Sequence, residues 1–166
     1  MIAKGLDNLI QDYVTEDTVM VEISSSSGAS TEAFTLRCGE IYVVTEGESA
    51  TLPAYGYGLA WPPATPPVTS SAHDKFNKQS LDMVYINEHY TYDIALENIR
   101  LWMPKIKVGG ILSGRNYGLP EIKKLVGNIS DFIPDQKIYE NDSWAFTKPS
   151  RHLIFPRHGI TFGKWG

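Results

Sequence analysis

The stretch Leu81-Asp-Met-Val-Tyr-Ile-Asn-Glu-His-Tyr-Thr-Tyr-Asp93, with the segment that follows it, decides the fold of this chain. Residues 83–86 form a short, nearly continuous apolar run, which is typical of a strand covered by helices on both faces. From Tyr92 to Met103 the apolar residues recur at spacings of three and one, and this spacing predicts an amphipathic helix. A buried strand that leads through a polar segment into a helix is one unit of an α/β sheet.

The same alternation of strands and helices recurs on both sides of this unit. Helical spacing predicts further helices over residues 6–13, 30–37 and 120–133. Short apolar runs predict further strands over residues 19–23, 41–44, 110–113 and 143–148. Ser30 is expected to be the N-cap of its helix, and Gly109-Gly110 are expected to follow the end of the helix that begins at Tyr92.

Two segments lack this alternation. Residues 47–80 contain a Pro- and Gly-rich loop, with five of the ten prolines between Pro53 and Pro67. Proline lacks the N–H that a helix or a central strand requires, so a loop is predicted over residues 47–72. Residues 149–166 are interpreted as a C-terminal tail that packs on its own domain or mediates homo-oligomer formation.

Length, charge and cysteine content limit the function classes. The 166 residues are predicted to form a single domain. The net charge of −4 argues against a general nucleic-acid binder but leaves a local basic patch open. The lone Cys38 excludes an internal disulfide and a multi-cysteine zinc site. No apolar run reaches membrane-spanning length and no signal-peptide pattern opens the sequence, so we expect a cytoplasmic protein with no membrane partner.

A small-residue loop between a predicted strand and helix is the first candidate binding site. Val21-Glu-Ile-Ser-Ser-Ser-Ser-Gly-Ala-Ser-Thr31 lets a ligand approach the backbone closely, because its side chains are small and Gly28 can adopt positive φ. It is not a P-loop, since no lysine follows the glycine. A serine-hydrolase turn is disfavoured because Ser24 stands where a glycine belongs. A simple tight turn before a helix remains the alternative.

Two polar segments follow the later strands. Residues 86–92 contain His89, whose ordinary pKa near 6.5 suits a general base, and residues 113–118 contain Arg115 and Asn116, which suit a polar or anionic group. Ligands of open α/β sheets bind beyond the carboxyl ends of the strands, where all these segments are expected. The alternative interpretation is that both segments are exposed surface turns.

Three blocks of the sequence resemble one known family. Leu81-Asp-Met-Val-Tyr-Ile-Asn-Glu-His-Tyr-Thr-Tyr-Asp93 resembles the signature D-L-V-F-I-D-G-D-H-S-Y-E, and residues 101–117 resemble W-x-P-x-L-K-P-G-G-I-L-A-G-H-D-Y. Residues 21–31 resemble V-E-I-G-x-x-x-G-x-S-T. In this order the blocks resemble class I S-adenosylmethionine (SAM) dependent methyltransferases, and most closely the small methyltransferase family twenty-four, in a shortened and partly degenerate form.

The resemblance implies an α/β fold: a Rossmann-like, doubly wound, mostly parallel sheet with the third strand and its helix shortened or absent. It also implies SAM as the cofactor and three groups of site residues. The implied cofactor-binding residues are Glu22, Ser24, Ser26, Gly28, Ser30, Thr45, Glu46 and Asn87. The implied catalytic residues are His89, Glu88 and Tyr90. The implied substrate-binding residues are Arg115, Asn116 and Tyr117.

Departures from the family pattern bear on the chemistry. Some relatives bind a divalent metal through carboxylates at the strand ends, where this chain has Asn87 and Asn116. Hard cations prefer charged oxygen ligands, so no metal is expected. Ser24 replaces a family glycine, and Thr45 stands at the acidic ribose position, with Glu46 one residue on.

Three functions follow from these observations. The first is SAM-dependent methyl transfer to an unknown, small-molecule acceptor, and the second is a degenerate methyltransferase fold that serves as a binding module. The third, which we consider the weakest, is nucleic-acid contact by the tail. Its cations Lys148, Arg151, His152, Arg157, His158 and Lys164 interleave with aromatic residues.

Overall fold

The computed structural model describes most of the chain in nine ranges. They are residues 4–24, 28–44, 50–56, 72–87, 91–133, 135–140, 142–150, 153–154 and 161–162. For residues 24, 50–56, 72, 153–154 and 161–162 the description is limited to the backbone. Within these ranges, no helix is both long and apolar enough to cross a membrane.

Four helices and nine strands make up the described structure. The helices are α1 (Lys4–Tyr13), α2 (Ala29–Thr35), α3 (Tyr92–Trp102) and α4 (Pro120–Ser130). The strands are β1 (Val19–Ser24), β2 (Glu40–Val44), β3 (Ala50–Gly56), β4 (Leu81–Asn87), β5 (Ile106–Gly114), β6 (Gln136–Tyr139), β7 (Ser143–Thr147), β8 (Leu153–Ile154) and β9 (Thr161–Phe162). Short 3-10 turns cover Ala72–Lys75 and Met103–Lys105.

Seven strands form one sheet in the order β3-β2-β1-β4-β5-β7-β6. The central pairs β1–β2, β1–β4 and β4–β5 are parallel, whereas β7 runs antiparallel to both β5 and β6. The chain moves outward from β1 to β2 and then returns to place β4 on the other side of β1. This reversal opens a crevice at the carboxyl ends of β1 and β4. The predicted α/β, Rossmann-like, mostly parallel sheet is confirmed.

The edge strand β3 differs from the sequence prediction. Residues 50–56 lie within the range predicted as a loop, but they pair antiparallel with β2. The connection spans only residues 45–49, and a parallel strand would need a crossover of a dozen or more residues. The third strand is therefore present, and it pairs with β2 as the second arm of an antiparallel hairpin.

The sheet is covered on both faces, which explains its nearly continuous apolar strands. Side chains alternate along β1, so Met20 and Glu22 face one side while Val21 and Ile23 face the other. On the first side α1 and α2 contribute Leu9 and Phe34 to the core, among other residues. On the second side α3 and α4 contribute a separate apolar cluster. Its members include Leu96, Ile99, Leu125, Val126 and Ile129.

One local prediction, that Ser30 caps α2, was wrong. The N-cap of α2 is Gly28, and Ser30 lies inside the first turn, because its hydroxyl donates to the buried Glu22 carboxylate instead of capping the helix. Gly109 and Gly110 lie inside β5, which begins at Ile106. Gly109 has a φ of 83° where the β4–β5 register shifts, a conformation that glycine adopts readily.

The remaining predictions about segments fall partly outside the described residues. The predicted loop between residues 57 and 71 lies outside them, as does most of the tail. The described part of the tail includes the two-stranded antiparallel pair β8–β9. Lys148, one of the cations proposed for nucleic-acid contact, is only 1% exposed and therefore does not reach a phosphate.

Candidate functional site

A buried carboxylate forms the centre of the site at the carboxyl end of β1. Both oxygens of Glu22 accept hydrogen bonds, from the Ser30 hydroxyl and from the Thr31 hydroxyl at the start of α2. The Asn87 amide, at the end of β4, donates to the Ser30 hydroxyl over 2.8 Å. We call Glu22, Ser30, Thr31 and Asn87 the Glu22 network. It joins three elements, and each of its four side chains is at least nine-tenths buried.

The protonation of Glu22 reflects two opposing effects. Burial raises the pKa of the Glu22 carboxyl, because an ionised group loses its hydration inside the protein. Hydrogen bonds from Ser30, Thr31 and Asn87 act in the opposite direction, since they stabilise the charged form. The three donors make it less costly to keep a carboxylate in a site from which water is excluded.

Gly28 provides open space at the same edge. Its φ of 86° is left-handed, and a Cβ added there would meet nothing within 4 Å. The Gly28 carbonyl accepts the Glu32 N–H over 2.9 Å and so starts α2. The end of β1, the positive-φ Gly28 and the start of α2 therefore lie beside a buried acid, and we call this place the Gly28 corner.

The other predicted cofactor and catalytic residues are described only in part. Ser24 is the last residue of β1, and its backbone pairs in register with Asn87. The remaining members lie outside the described residues. They are Ser26, Thr45, Glu46, Glu88, His89 and Tyr90. Their predicted roles stay predictions.

The predicted substrate-binding residues follow β5 beside this edge. The Arg115 N–H donates to the Ile86 carbonyl over 3.0 Å, which places the start of this segment against the end of β4. Asn116 is 7% exposed and has a φ of 66°. Tyr117 is half-buried, and its N–H donates to the Asp142 carbonyl over 3.1 Å. The structure therefore brings residues 115–117 to the end of the same strand that carries Asn87.

The sequence did not predict three residues that the structure places at this site. Thr31 supplies the second hydroxyl to Glu22. Tyr85 pairs in register with Glu22, and within the described residues its hydroxyl is buried without a hydrogen-bond partner; burial raises the pKa of this phenol. The Trp144 indole donates to the Arg115 carbonyl over 3.0 Å. Thr31 was recognisable from the Ser-Thr pair at the helix start, whereas Trp144 depends on a contact between residues 29 positions apart.

A separate groove of about 490 Å³ lies at the opposite, amino-terminal edge of the sheet. Asp12 and Asp82 line it, but each is already ion-paired, with Lys137 and Lys107 respectively. The groove contains none of the predicted site residues, so the carboxyl edge remains the candidate site. Among the described residues, no three His, Cys, Asp or Glu side chains form a group that would hold a metal ion.

Comparison with known proteins relies on structure. No protein-family model matches the sequence, and no curated protein matches it. A protein from Clostridium thermocellum named as a putative rRNA-methylase has a similar structure, with a TM-score of 0.57 and 14% identity over 90% of this chain and 98% of that one. The fold is that of class I SAM-dependent methyltransferases.

Two further solved structures support this methyltransferase fold. A tRNA methyltransferase from Aquifex aeolicus gives a TM-score of 0.55 and 10% identity, over 98% of this chain and 64% of that one. A putative methyltransferase from Streptococcus mutans, solved in complex with SAH, gives a TM-score of 0.50 and 10% identity, over 88% of this chain and 97% of that one. At these identities the likeness concerns the fold, and the chemistry has to be argued from the residues of this chain.

Proposed function

We propose that this chain is a SAM-dependent methyltransferase, and that among such enzymes it is closest to family twenty-four. The observation that carries the proposal is the Glu22 network beside the open, positive-φ Gly28 at the carboxyl end of β1. A neighbour with the same fold was solved with SAH bound, which supports SAM as the cofactor class.

The residues present fit the methionine end of SAM. A cationic amine suits the neighbourhood of a buried carboxylate, and the empty space at Gly28 leaves room for the ligand. In this proposal Glu22, Ser24, Ser26, Gly28, Ser30 and Asn87 hold this end, and Thr45 or Glu46 accepts hydrogen bonds from the ribose. SAM, when bound, supplies an activated methyl group on its sulfonium.

The chain's own part in the reaction is to position the acceptor and remove its proton. His89 is proposed as the base, with Glu88 or Tyr90 as its alternatives, since all three follow the strand that ends at Asn87. Arg115, Asn116 and Tyr117 are proposed to hold the acceptor. This assignment is supported by the hydrogen bond from the Arg115 N–H to the Ile86 carbonyl, which joins the ends of β4 and β5.

The class of acceptor is open to two proposals. A small molecule is the acceptor expected from the sequence. A nucleic acid is the second proposed acceptor, because two structural neighbours are named as an rRNA-methylase and a tRNA methyltransferase. Both acceptors would use the same cofactor corner at Gly28, so cofactor binding is the first test.

Calorimetry with SAM and SAH on the full chain tests the cofactor. We expect binding to the wild type and a loss of about tenfold or more in Gly28→Val, because a β-branched side chain is strained at positive φ and projects into the proposed ligand space. Lys107→Ala, at the amino edge, is the matched control and should bind like the wild type. No heat at millimolar SAM and SAH would rule out the proposal.

The alternative is a methyltransferase fold that binds a partner without chemistry. The β2–β3 hairpin and the two strand-end asparagines favour it, because relatives carry a longer segment and carboxylates there. It predicts that Gly28→Trp leaves the biological role intact. If blocking the corner abolishes that role, the binding-module alternative is wrong.

A further inference from the structure

Two tyrosine rings flank the carboxyl edge above β4 and β5, and each carries a lysine ammonium. Tyr92 is the first residue of α3, and the Lys124 Nζ lies 5.2 Å from the centre of its ring. Tyr117 follows β5, and the Lys123 Nζ lies 5.8 Å from the centre of its ring. Both lysines are exposed. We call Tyr92, Tyr117, Lys123, Lys124 and Arg115 the tyrosine–lysine surface.

The rings are held in place by contacts with the core. Both tyrosines are half-buried and pack against the apolar cluster under α3 and α4. The Asn128 amide donates to the Tyr92 hydroxyl over 2.7 Å, which ties the start of α3 to α4. Rings fixed in this way lose little conformational freedom when a planar group stacks on them.

The charge of this surface differs from that of the whole chain. Residues 115–124 contain three cations (Arg115, Lys123 and Lys124) and one acid (Glu121), and the exposed Asp93 and Asp142 lie next to Tyr92 and Gly118, so the surface with its neighbours is neutral whereas the chain carries −4. Within the described residues, no carboxylate pairs with any of the three cations. At the amino edge, by contrast, Lys107 pairs with Asp82. The cations of the surface are therefore available to an external anion.

We propose that the tyrosine–lysine surface binds a single-stranded nucleic acid and directs a base toward the carboxyl edge. An exposed ammonium resting on a ring can move to a phosphate, and the ring face it leaves can stack on a base. The planar Arg115 guanidinium adds a second stacking or phosphate-binding group. The inference rests on the proposed function in one respect, which is that the bound base would be the methyl acceptor.

Fluorescence anisotropy tests the surface with labelled RNA and DNA strands of about 20 nucleotides, longer than a typical single-strand site. Salt is varied from about 50 to about 200 mM, because phosphate contacts make affinity fall with salt. We expect the double variant Lys123→Glu/Lys124→Glu to bind at least about tenfold more weakly. Its log–log salt slope should be smaller by about 0.7 for each lost phosphate contact.

Two control variants test whether the effect depends on where the charges lie and on their sign, or only on the net charge of the protein. Lys4→Glu/Lys75→Glu makes the same change of charge on exposed lysines elsewhere and should reduce affinity much less. Asp93→Asn/Glu121→Gln removes the two exposed acids at the starts of α3 and α4 and should strengthen binding. Equal losses in the two lysine pairs would contradict a localised surface.

The contribution of the rings is tested with the lysines intact. Tyr117→Ala should weaken binding about fivefold or more at an unchanged salt slope, since it removes the stacking of one base and leaves every cation in place. Tyr117→Phe retains the ring and should bind like the wild type. If Tyr117→Ala and Tyr117→Phe bind with equal affinity, the proposal that a base stacks on this ring is wrong.

Calorimetry with SAM on the same proteins separates the two proposals. If the protein binds SAM but no nucleic acid at low salt, the tyrosine–lysine surface is not a nucleic-acid site and the proposed function stands. If it binds nucleic acid with the predicted variant pattern but does not bind SAM, the surface proposal stands and the proposed function is wrong. A higher affinity for the RNA or for the DNA probe identifies which of the two nucleic acids the surface binds.

Discussion

Glu22 and Lys148 are both ionisable side chains buried in the described structure, but they lie at opposite edges of the sheet and are stabilised differently. Glu22, at the carboxyl edge, is satisfied by side chains from α2, with a third from β4 behind them. Lys148, beyond the end of β7, donates to the backbone carbonyls of Met103 and Ile106 over 2.9 and 2.6 Å.

The two buried groups differ in their partners. Glu22 is hydrogen-bonded by other side chains, whereas Lys148 is hydrogen-bonded to the backbone. Hydroxyl and amide donors around Glu22 leave oxygen lone pairs that a ligand can use, because each carboxylate oxygen accepts more than one hydrogen bond. The Lys148 ammonium donates to two carbonyls at the turn between α3 and β5, and the Met103 carbonyl also accepts the Ile106 N–H. In the proposed function Glu22 belongs to the ligand site, whereas the contacts of Lys148 bear on stability.

The largest effect is expected from Glu22→Ala. Truncation leaves the Ser30 and Thr31 hydroxyls without their acceptor and opens a cavity, so the free energy of unfolding should fall by about 3–5 kcal/mol. Urea denaturation measures this change. Glu22→Gln retains the shape and one acceptor oxygen and should lose markedly less. Equal losses in both variants would mean that packing, and not hydrogen bonding, stabilises this position.

Lys148→Met should lower the free energy of unfolding by about 1–3 kcal/mol at neutral pH, because the Met103 and Ile106 carbonyls each lose a hydrogen bond from the ammonium. The effect should also depend on pH. Burial lowers the pKa of Lys148 from its ordinary 10.5 to about 8. Between these values the unfolded chain binds more protons, so this residue's contribution to stability rises with pH from about 8 and is complete above about 10.5.

Urea denaturation of the wild type and of Lys148→Met, each at pH 8 and at pH 10.5, isolates this contribution. The difference in unfolding free energy between the two proteins should grow by up to about 3 kcal/mol over that range. A constant difference would contradict a lowered pKa for Lys148.

Glu22 should show the opposite dependence on pH. Burial raises the pKa of Glu22 in the folded state, so its contribution favours the fold below its ordinary pKa of 4.5 and is lost as pH rises through the folded pKa. The stability of the wild type relative to Glu22→Gln should therefore fall as pH rises from 4.5. A relative stability that instead rises with pH would show that the hydrogen bonds outweigh burial.

The smallest effects are expected from single donors of the Glu22 network. Thr31→Val keeps the shape and removes one donor, and it should lower the free energy of unfolding by about 1–2 kcal/mol. Asn87→Ala removes a donor to Ser30 and should cost about 1 kcal/mol. A double-mutant cycle of Thr31→Val with Glu22→Gln measures the coupling. Strict additivity of the two changes would contradict their direct contact.

Much of the fold was predictable from local patterns. Apolar spacing located the four helices and the central strands, because period 3.6 and period 2 indicate which faces are buried. The strands β3 and β6 were missed: β3 contains Pro53 in a Pro-rich segment, and β6 has only one buried residue, Tyr139. Both lie at an edge of the sheet, where pairing with one neighbour imposes less pattern on the sequence.

The residues of the candidate site were partly predictable from the sequence, but the contacts between them were not. The resemblance to the methyltransferase motifs identified Glu22, Ser30 and Asn87, but their hydrogen bonds connect residues 8 and 57 positions apart. The expected N-cap role of Ser30 failed because a buried carboxylate competes for the hydroxyl, and nothing adjacent in the sequence indicates that competition.

By itself, the sequence determined that this chain forms an α/β sheet with its polar segments at the carboxyl ends of the strands, since hydrophobic periodicity is a local property. Only the tertiary structure decided which polar side chains meet, that β3 turns back as a hairpin, and that Lys148 is buried while Lys123 and Lys124 are exposed. Contacts between distant residues depend on strand order and register, which sequence spacing does not encode.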